Sequence, residues 1–224
     1  TVCRGFVVTT ANGFAELPSG PLILASASAS RRTMLERAGF SVTCHAAAID
    51  EESVRLSCAS EGMDAGDTAV LLAEMKGMAV SQSSVAGPGQ LLLAADQILE
   101  VDGEMIGKPS DRAEAAAQLA HLSGKPHRLF TAAVIFLDGQ RIWHHLARTE
   151  LHVRTLDAQQ IEAYLDVIGD AAFWSPGSYQ IEAAGMHLFS RIDGCHYSIL
   201  GLPLLEITGF LRGHGLTVAP ARGR

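Results

Sequence analysis

The feature that most constrains this chain is the stretch from residue 22 to residue 39, where three local patterns follow one another directly. An apolar run, Leu22–Leu24, predicts a short buried strand. Residues 25–30 are only alanine and serine, which is typical of a tight loop. Apolar residues such as Met34 and Leu35 then recur at helical spacing. The sequence therefore predicts a strand, a loop of small residues and a helix that begins directly behind the loop.

Two arginines, Arg31 and Arg32, lie in the predicted first turn of this helix. Positive charge is unfavourable there, because the helix dipole is positive at its N-terminus. A bound phosphate would explain both arginines, since guanidinium groups, serine hydroxyls and free main-chain N–H groups all donate to phosphate oxygens. The alternative is a flexible loop with two solvated arginines, and this stretch alone does not separate the two interpretations.

Length and composition limit the remaining classes. The chain has 224 residues, 48% of them hydrophobic and 18% charged, so it can bury the core of one domain. We expect this domain to cover residues 22–215, with an N-terminal extension at 1–21 and a C-terminal tail at 216–224. The net charge of −7 argues against a non-specific nucleic-acid binder, which needs a basic face.

Cysteine usage and hydropathy predict a cytoplasmic protein with no membrane partner. The four cysteines are scattered without a C-x-x-C pair, which favours reduced thiols over a zinc site or a disulfide framework. No apolar run approaches the ~20 residues that span a bilayer. The first 21 residues lack the charged start and long apolar stretch of a signal peptide.

Acidic and basic residues in the first half suggest a second part of the site. Three consecutive acids, Asp50–Glu52, are typical of a solvated turn or a helix start. Residues 53–66 look like a loop, and residues 69–80 then predict a helix. The apolar stripe of this helix carries Lys76, whose amine either reaches water along the helix surface or points into a cleft.

A strongly apolar strand, Leu91–Ala95, is predicted to end at Asp96 and Gln97. Ligands in open α/β sheets bind at the carboxyl ends of strands, so Asp96 is a candidate catalytic group. The alternative is a turn or a helix cap, which the non-helical residues that follow make weaker. Residues 98–106 predict a hairpin that turns at Asp102-Gly103.

The second half predicts further strands, turns and helices around these groups. Lys108 lies between a glycine and a proline, which would aim its side chain, although an ordinary turn lysine is the alternative. The other predicted features are a Ser110 N-cap for a helix to Leu122, strands at 127–137 and 141–154, a helix opened by Asp157 and Gln160, strands at 179–183 and 187–192, and a final helix from Pro203 to Arg212. Neighbouring histidines such as His144 and His145 alternate across a strand and are not expected to share a metal ion.

Taken together, the sequence resembles the Maf family of nucleoside triphosphate pyrophosphatases. The resemblance covers about residues 22–215 and rests on seven stretches in order, LILASASASRRTMLERAGF, AIDEE, LLAEMK, AADQILEVDGEMIGKP, LSGKPH, GSYQIE and GLPL. It implies an α/β fold with a mixed, elongated and twisted sheet, flanking helices and a central substrate cleft. It also implies hydrolysis of a nucleoside triphosphate to the monophosphate and pyrophosphate with a divalent metal, Mg²⁺ or Mn²⁺.

The resemblance also implies roles for individual residues. Asp96 falls on the proton acceptor and Glu51 on its acidic partner. The two carboxylates together could hold the divalent metal, since Mg²⁺ prefers a small number of carboxylates plus substrate oxygens. The phosphate-binding serine and arginine fall on Ser26 and Arg31, the lysines fall on Lys76 and Lys108, and positions linked to base choice fall on Ser30, Gln97 and Glu182. Ser28 and Arg32, in the same small-residue loop and helix start, are further substrate-binding candidates from the phosphate interpretation above.

Three questions stay open after the sequence. The first is whether the protein turns nucleotides over or is a nucleotide-binding regulator of cell division with little turnover. The second is the base: Gln97 and Glu182 resemble the subgroup that hydrolyses 7-methyl-GTP, whereas Ser30 replaces a tryptophan typical of that subgroup. The third is whether the protein is a monomer or a homodimer. A dinucleotide-binding oxidoreductase is disfavoured, because the chain lacks the G-x-G-x-x-G fingerprint.

Overall fold

The computed structural model describes residues 21–213, and within that range seven strands form one mixed sheet with the order β2-β1-β3-β5-β6-β7, while β4 pairs with β3. The strands are β1 (Leu22–Leu24), β2 (Val42–Cys44), β3 (Leu91–Val101), β4 (Glu104–Ile106), β5 (Pro126–Leu137), β6 (Gln140–Val153) and β7 (Phe189–Asp193). The pairs β1–β2 and β1–β3 are parallel and the others antiparallel. The predicted mixed α/β fold is confirmed.

Seven α-helices of the described range flank this sheet. They are α1 (Ala29–Arg37), α2 (Glu51–Ser60), α3 (Ala65–Ser81), α4 (Arg112–Leu122), α5 (Ala158–Ile168), α6 (His196–Ile199) and α7 (Leu204–Gly213). Three short 3₁₀ helices lie at Gly169–Phe173, Pro176–Ser178 and Ala184–Leu188. Within residues 21–213 no helix combines the length and the apolar character that a membrane span requires.

The two faces of β3 pack against different helices, because successive side chains of a strand point to opposite faces. Leu92 and Ile98 pack on one face with apolar residues of α3. On the other face, Leu93 packs with residues of α1 and α7, and Leu99 packs with residues of α4 and α5. This face therefore carries two separate hydrophobic clusters, with Gln97 between them.

One edge of β3 is left open in the middle of the sheet. On this edge β1 pairs with β3 at Leu92 and Leu93, and β4 pairs only from Leu99 onwards. Among the described strands none pairs with this edge at residues 95–98, because the chain leaves the sheet after Ala25, whose N–H donates to Leu93 O over 2.8 Å. The gap brings Asp96 and Gln97 to an opening rather than to a continuous sheet.

Four sequence predictions are wrong in detail. Residues 53–66 are not a loop, since α2 covers most of them; Asp50 is its N-cap, and Glu51 and Glu52 occupy the favourable first turn. Leu91–Ala95 does not end at Asp96, because β3 continues to Val101. Residues 179–183 are not a strand, since 181–183 form a turn, and Asp111 rather than Ser110 caps α4.

Other local predictions are confirmed. The predicted hairpin turns at Asp102-Gly103, and the strands predicted at 127–137 and 141–154 are joined by a second aspartate-glycine turn, Asp138-Gly139; all four residues have positive φ. Asp157 and Gln160 form a capping box at the start of α5. The expected extension and tail lie outside the described residues, apart from residue 21.

Candidate active site

Asp96 lies in the middle of β3 and forms a buried ion pair with α3. Its Oδ1 accepts a hydrogen bond of 2.7 Å from Nζ of Lys76. Only 5% of Asp96 and 6% of Lys76 are exposed to solvent. Buried charges are tolerated only when they are paired and hydrogen bonded, so this pair explains how an aspartate can interrupt the most apolar strand of the sheet.

Glu51 brings a second carboxylate to the same lysine. It is the first residue of α2, and its Oε1 lies 2.9 Å from Nζ of Lys76. Burial raises the pKa of Glu51, but the positive charges of Lys76, Lys108 and Arg31 outweigh that effect and hold the pKa below its usual range. Glu51 is therefore ionised at neutral pH.

Arg31 approaches these carboxylates from the first turn of α1, which follows the loop after β1. Its Nε donates to Gly201 O over 2.9 Å, and its Nη1 donates to Ser26 Oγ over 3.3 Å. Burial lowers the pKa of the Arg31 guanidinium, while the charges of Asp96 and Glu51 raise it. An arginine stays protonated in proteins, so Arg31 is a second cation, after Lys76, beside the two carboxylates.

The serines of this loop organise the start of α1. Ser28 is the N-cap, and its Oγ accepts a hydrogen bond of 3.3 Å from the N–H of Arg31. The N–H of Ser28 in turn donates to Ser26 Oγ over 3.2 Å. The predicted helix start directly behind the small-residue loop is confirmed, and it aims Arg31 at the opening beside β3.

Two predicted site residues lie apart from this cluster. Arg32 is on the outer face of α1, where its side chain is 58% exposed and pairs with Glu36 over 2.7 Å. Glu182 is exposed in a turn and forms no hydrogen bond or ion pair with the described residues. Their roles in binding and base choice stay predictions.

Gln97 and Ser30 bond to a segment that the sequence analysis missed. Gln97 lies on the opposite sheet face from Asp96, and its Nε2 donates to Thr131 Oγ1 and to Ser198 O, each over 2.8 Å. Ser30 Oγ donates to Leu200 O over 3.3 Å. Helix α6 and residues 200–202 were not predicted, and the stretch GLPL was the one signal that pointed to them.

The carboxylates of Asp96 and Glu51 suit a divalent cation. Lys76 contacts one oxygen of each, which leaves the second oxygen of each carboxylate for an ion. A different group, Glu150, His152 and Asp193, has its ligand atoms within 4.8 Å of one another among the described residues.

That second group is already neutralised by cations. It lies on β6 and β7, across the sheet from β3, where Arg128 pairs with Glu150 over 3.4 Å and Arg191 with Asp193 over 2.7 Å. The Asp96–Glu51 pair adjoins the open edge of β3, and both of its direct ion pairs among the described residues involve one cation, Lys76, so it is the better candidate for a metal that serves a substrate.

Comparisons with known proteins identify the family of the chain. Residues 21–214 match the family model described as "Maf-like protein". The chain is 44% identical over 199 residues, 89% of its length and 98% of the relative's, to "Nucleoside triphosphate pyrophosphatase 1" of Jannaschia sp. (strain CCS1). It is 45% identical over 197 residues, 88% of its length and 95% of the relative's, to "Nucleoside triphosphate pyrophosphatase" of Nitrobacter hamburgensis. The chain belongs to the family of Maf-like proteins.

Proposed function

We propose that this protein is a hydrolase of acid anhydrides that converts a nucleoside triphosphate to the nucleoside monophosphate and pyrophosphate. The observation that carries the proposal is the Lys76 ammonium held between Asp96 and Glu51 at the open edge of β3, with Arg31 beside them. Support also comes from the relatives, which are named nucleoside triphosphate pyrophosphatases. A house-cleaning role, in which a non-standard or modified nucleotide is the substrate, follows from the family resemblance.

In this proposal Asp96 acts on water and the cations act on the triphosphate. The carboxylate orients a water molecule and accepts its proton as the oxygen attacks the α-phosphorus. The bond from the α-phosphorus to the bridging oxygen breaks, and pyrophosphate leaves. Arg31, Lys76 and Lys108 stabilise negative charge on the phosphoryl oxygens, which is the main requirement of phosphoryl transfer. The hydroxyl of Ser26, bonded to Arg31, adds a donor in the same loop.

Glu51 and Asp96 are proposed to hold a divalent cation, Mg²⁺ or Mn²⁺. Such an ion, when bound, neutralises charge on the triphosphate and orients its oxygens. Because Glu51 is ionised at neutral pH, no proton must leave it before a cation binds. Equilibrium dialysis of the protein with Mn²⁺ tests this, and Glu51→Gln should weaken the binding.

For the base we propose a guanine-like triphosphate, with 7-methyl-GTP as the first candidate. A carboxylate only accepts hydrogen bonds, and guanine offers adjacent N1–H and N2–H donors that uracil and thymine lack. Glu182 is free to supply that carboxylate, since it is exposed and not engaged by the described residues. A cationic 7-methylguanine would suit the carboxylate better than guanine.

The test is pyrophosphate release from a panel of nucleoside triphosphates with Mg²⁺, Mn²⁺ or EDTA. We expect release with either metal, none with EDTA, and the highest kcat/KM for 7-methyl-GTP. A preference for dTTP or UTP over every purine would refute the base assignment alone. Tight nucleotide binding without turnover would refute the enzyme and favour a regulator of cell division.

A cytoplasmic location and the choice between monomer and homodimer stay predictions of the sequence analysis. Cell fractionation tests the location, and light scattering coupled to size-exclusion chromatography gives the mass in solution. A mass near 23.7 kDa, that of one chain, would indicate a monomer, and twice that mass a homodimer.

A further inference from the structure

Four consecutive main-chain carbonyls after the start of α6, from Ser198 to Gly201, accept hydrogen bonds from side chains of distant elements. We call this segment the carbonyl row. The donors are Gln97 and Thr131 to Ser198 O at 2.8 and 2.9 Å, Gln97 to Ile199 O at 3.2 Å, Ser30 to Leu200 O at 3.3 Å, and Arg31 to Gly201 O at 2.9 Å. The row therefore joins β3, β5 and α1 at one place.

Gly201 O, the last carbonyl of the row, accepts a hydrogen bond from Arg31. Of the two candidate-site arginines, Arg32 pairs with a surface carboxylate, whereas the side-chain hydrogen bonds of Arg31 to the described residues do not involve one. Arg31 has two protein contacts, Gly201 O through Nε and Ser26 Oγ through Nη1. The bonds through Nε and Nη1 leave the outer edge of the guanidinium, formed by Nη2 and the second N–H of Nη1, to bind a phosphate in the paired geometry that arginine favours. The position of Gly201 O therefore sets where that edge points.

Residue 201 must be glycine for two reasons. Its φ is +103°, a conformation that residues with a side chain rarely adopt. A Cβ at this position would also lie 3.0 Å from Nε of Arg31, closer than ordinary van der Waals contact. A side chain here would push against the arginine that the same residue's carbonyl holds.

We propose that Gly201 is a positioning residue, whose carbonyl and missing side chain together set the Arg31 guanidinium for binding the triphosphate. The proposal rests on the proposed function, in which Arg31 binds phosphate. Gln97, Thr131 and Ser30 keep the row in place, so that Gly201 O is fixed relative to β3 as well as to α1. Gly201 acts through Arg31 and does not itself touch the substrate.

The experiment compares Gly201→Ala with a matched control, Gly139→Ala. Gly139 also has a positive φ, +77°, but a Cβ there has no atom within 4 Å, so both variants carry backbone strain and one alone meets Arg31. We expect Gly201→Ala to lower kcat/KM for the best triphosphate at least about tenfold, mainly through KM, since a displacement of 1 Å costs ~10²-fold. Gly139→Ala should stay within about twofold of the wild type. Equal losses in the two variants would overturn the proposal.

A double-mutant cycle shows whether the effect passes through Arg31. In an Arg31→Ala background, adding Gly201→Ala should change kcat/KM less than about twofold, because the positioned group is already gone. A second full loss in that background would mean that Gly201 acts on the fold in general, and the proposal would be wrong. If Gly201→Ala does not fold, the same cycle is run with Thr131→Val, which removes a donor to the row and should give a smaller loss that also depends on Arg31.

A failure of the proposed function can be distinguished from a failure of the positioning role. A wild-type protein that releases no pyrophosphate from any triphosphate refutes the hydrolase. In that case the same double-mutant cycle is repeated with calorimetry, which measures the Kd for GTP, a nucleotide that carries a γ-phosphate. A Gly201→Ala effect on that Kd that disappears in Arg31→Ala supports the positioning role, and an effect that persists overturns it.

Discussion

The chain buries two polar clusters on neighbouring central strands, and they differ in charge. Asp96 of β3 is ion-paired with Lys76 over 2.7 Å. His127 of β5 is 1% exposed and shares a hydrogen bond of 2.9 Å with the hydroxyl of Tyr179. Burial lowers the pKa of His127 to about 4 and raises that of Tyr179, so this second pair is neutral at pH 7.

Their surroundings explain the difference. Asp96 adjoins the open edge of β3 and has two cations close by, Lys76 and Arg31, so its charge is compensated. His127 lies beside the hydrophobic cluster of α4 and α5, and among the described residues its Nδ1 has no hydrogen-bond partner. A sealed cluster favours neutral groups because charges lose their hydration there. The comparison teaches that burial alone does not mark a reactive group, whereas paired charge beside an opening does.

The strongest test of this contrast is Asp96→Asn. Asparagine keeps the shape and an oxygen for Lys76 but cannot accept the proton of water, so kcat should fall by ~10²–10⁴ while the fold remains. Pyrophosphate release and circular dichroism measure the two effects. The matched variant His127→Gln should leave kcat/KM within about twofold of the wild type. Turnover by Asp96→Asn at the wild-type rate would remove Asp96 from catalysis.

The neutral pair should instead control stability against pH. The folded state keeps His127 neutral down to about pH 4, whereas the unfolded chain protonates it near 6.5. Its contribution is therefore fully present above pH 6.5 and is lost as the pH falls from 6.5 to 4, by up to about 3 kcal/mol.

Urea unfolding at several pH values checks this prediction. His127→Gln should flatten the dependence between pH 6.5 and 4, since glutamine does not titrate. A variant whose free energy of unfolding falls with acid as steeply as that of the wild type would show that other groups cause the loss.

The two adjacent arginines sharpen the comparison further, because one joins the charged cluster and the other does not. Arg31→Ala removes charge-assisted contacts worth about 1.5–3 kcal/mol, so kcat/KM should fall roughly 10- to 100-fold. Arg32→Ala removes a side chain that pairs with Glu36 on the surface, and we expect less than about a threefold loss. Steady-state kinetics of both variants tests this. Equal losses would place Arg32 at the phosphates as well.

A change in substrate preference, smaller than the loss expected for Arg31→Ala, is predicted at Glu182, which lies outside both clusters. Glu182→Gln replaces an acceptor by a group that also donates, so any preference for 7-methyl-GTP over dTTP should shrink by about three- to tenfold. Competition between the two nucleotides measures the ratio directly. An unchanged ratio would mean that Glu182 is an ordinary surface residue.

Local patterns in the sequence determined the segments that carry the site. The strand, loop and helix of residues 22–39, the buried stripe with Lys76 and the apolar strand before Asp96 were all predictable, because hydrophobic periodicity and caps act between near neighbours. The aspartate-glycine hairpins followed for the same reason. Predictions failed where polar residues suggested the end of a helix or a strand. Residues 53–66 lie mostly in α2, whose start is capped by Asp50, and Asp96 lies within β3, where its charge is paired with Lys76.

Only the tertiary structure decided which groups these side chains contact. Lys76 lies 20 positions from Asp96, and Arg31 lies 170 positions from Gly201, so no local pattern links them. Alternation along β3 sends Asp96 and Gln97 to opposite faces, although they are adjacent in the chain. The open edge of β3 exists because β1 pairs with β3 only as far as Leu93 and β4 pairs only from Leu99 onwards. The sequence alone determined which charges the protein has. Packing decided which of them are paired, exposed or held by a main-chain carbonyl, because those outcomes depend on distances between elements that are remote in the chain.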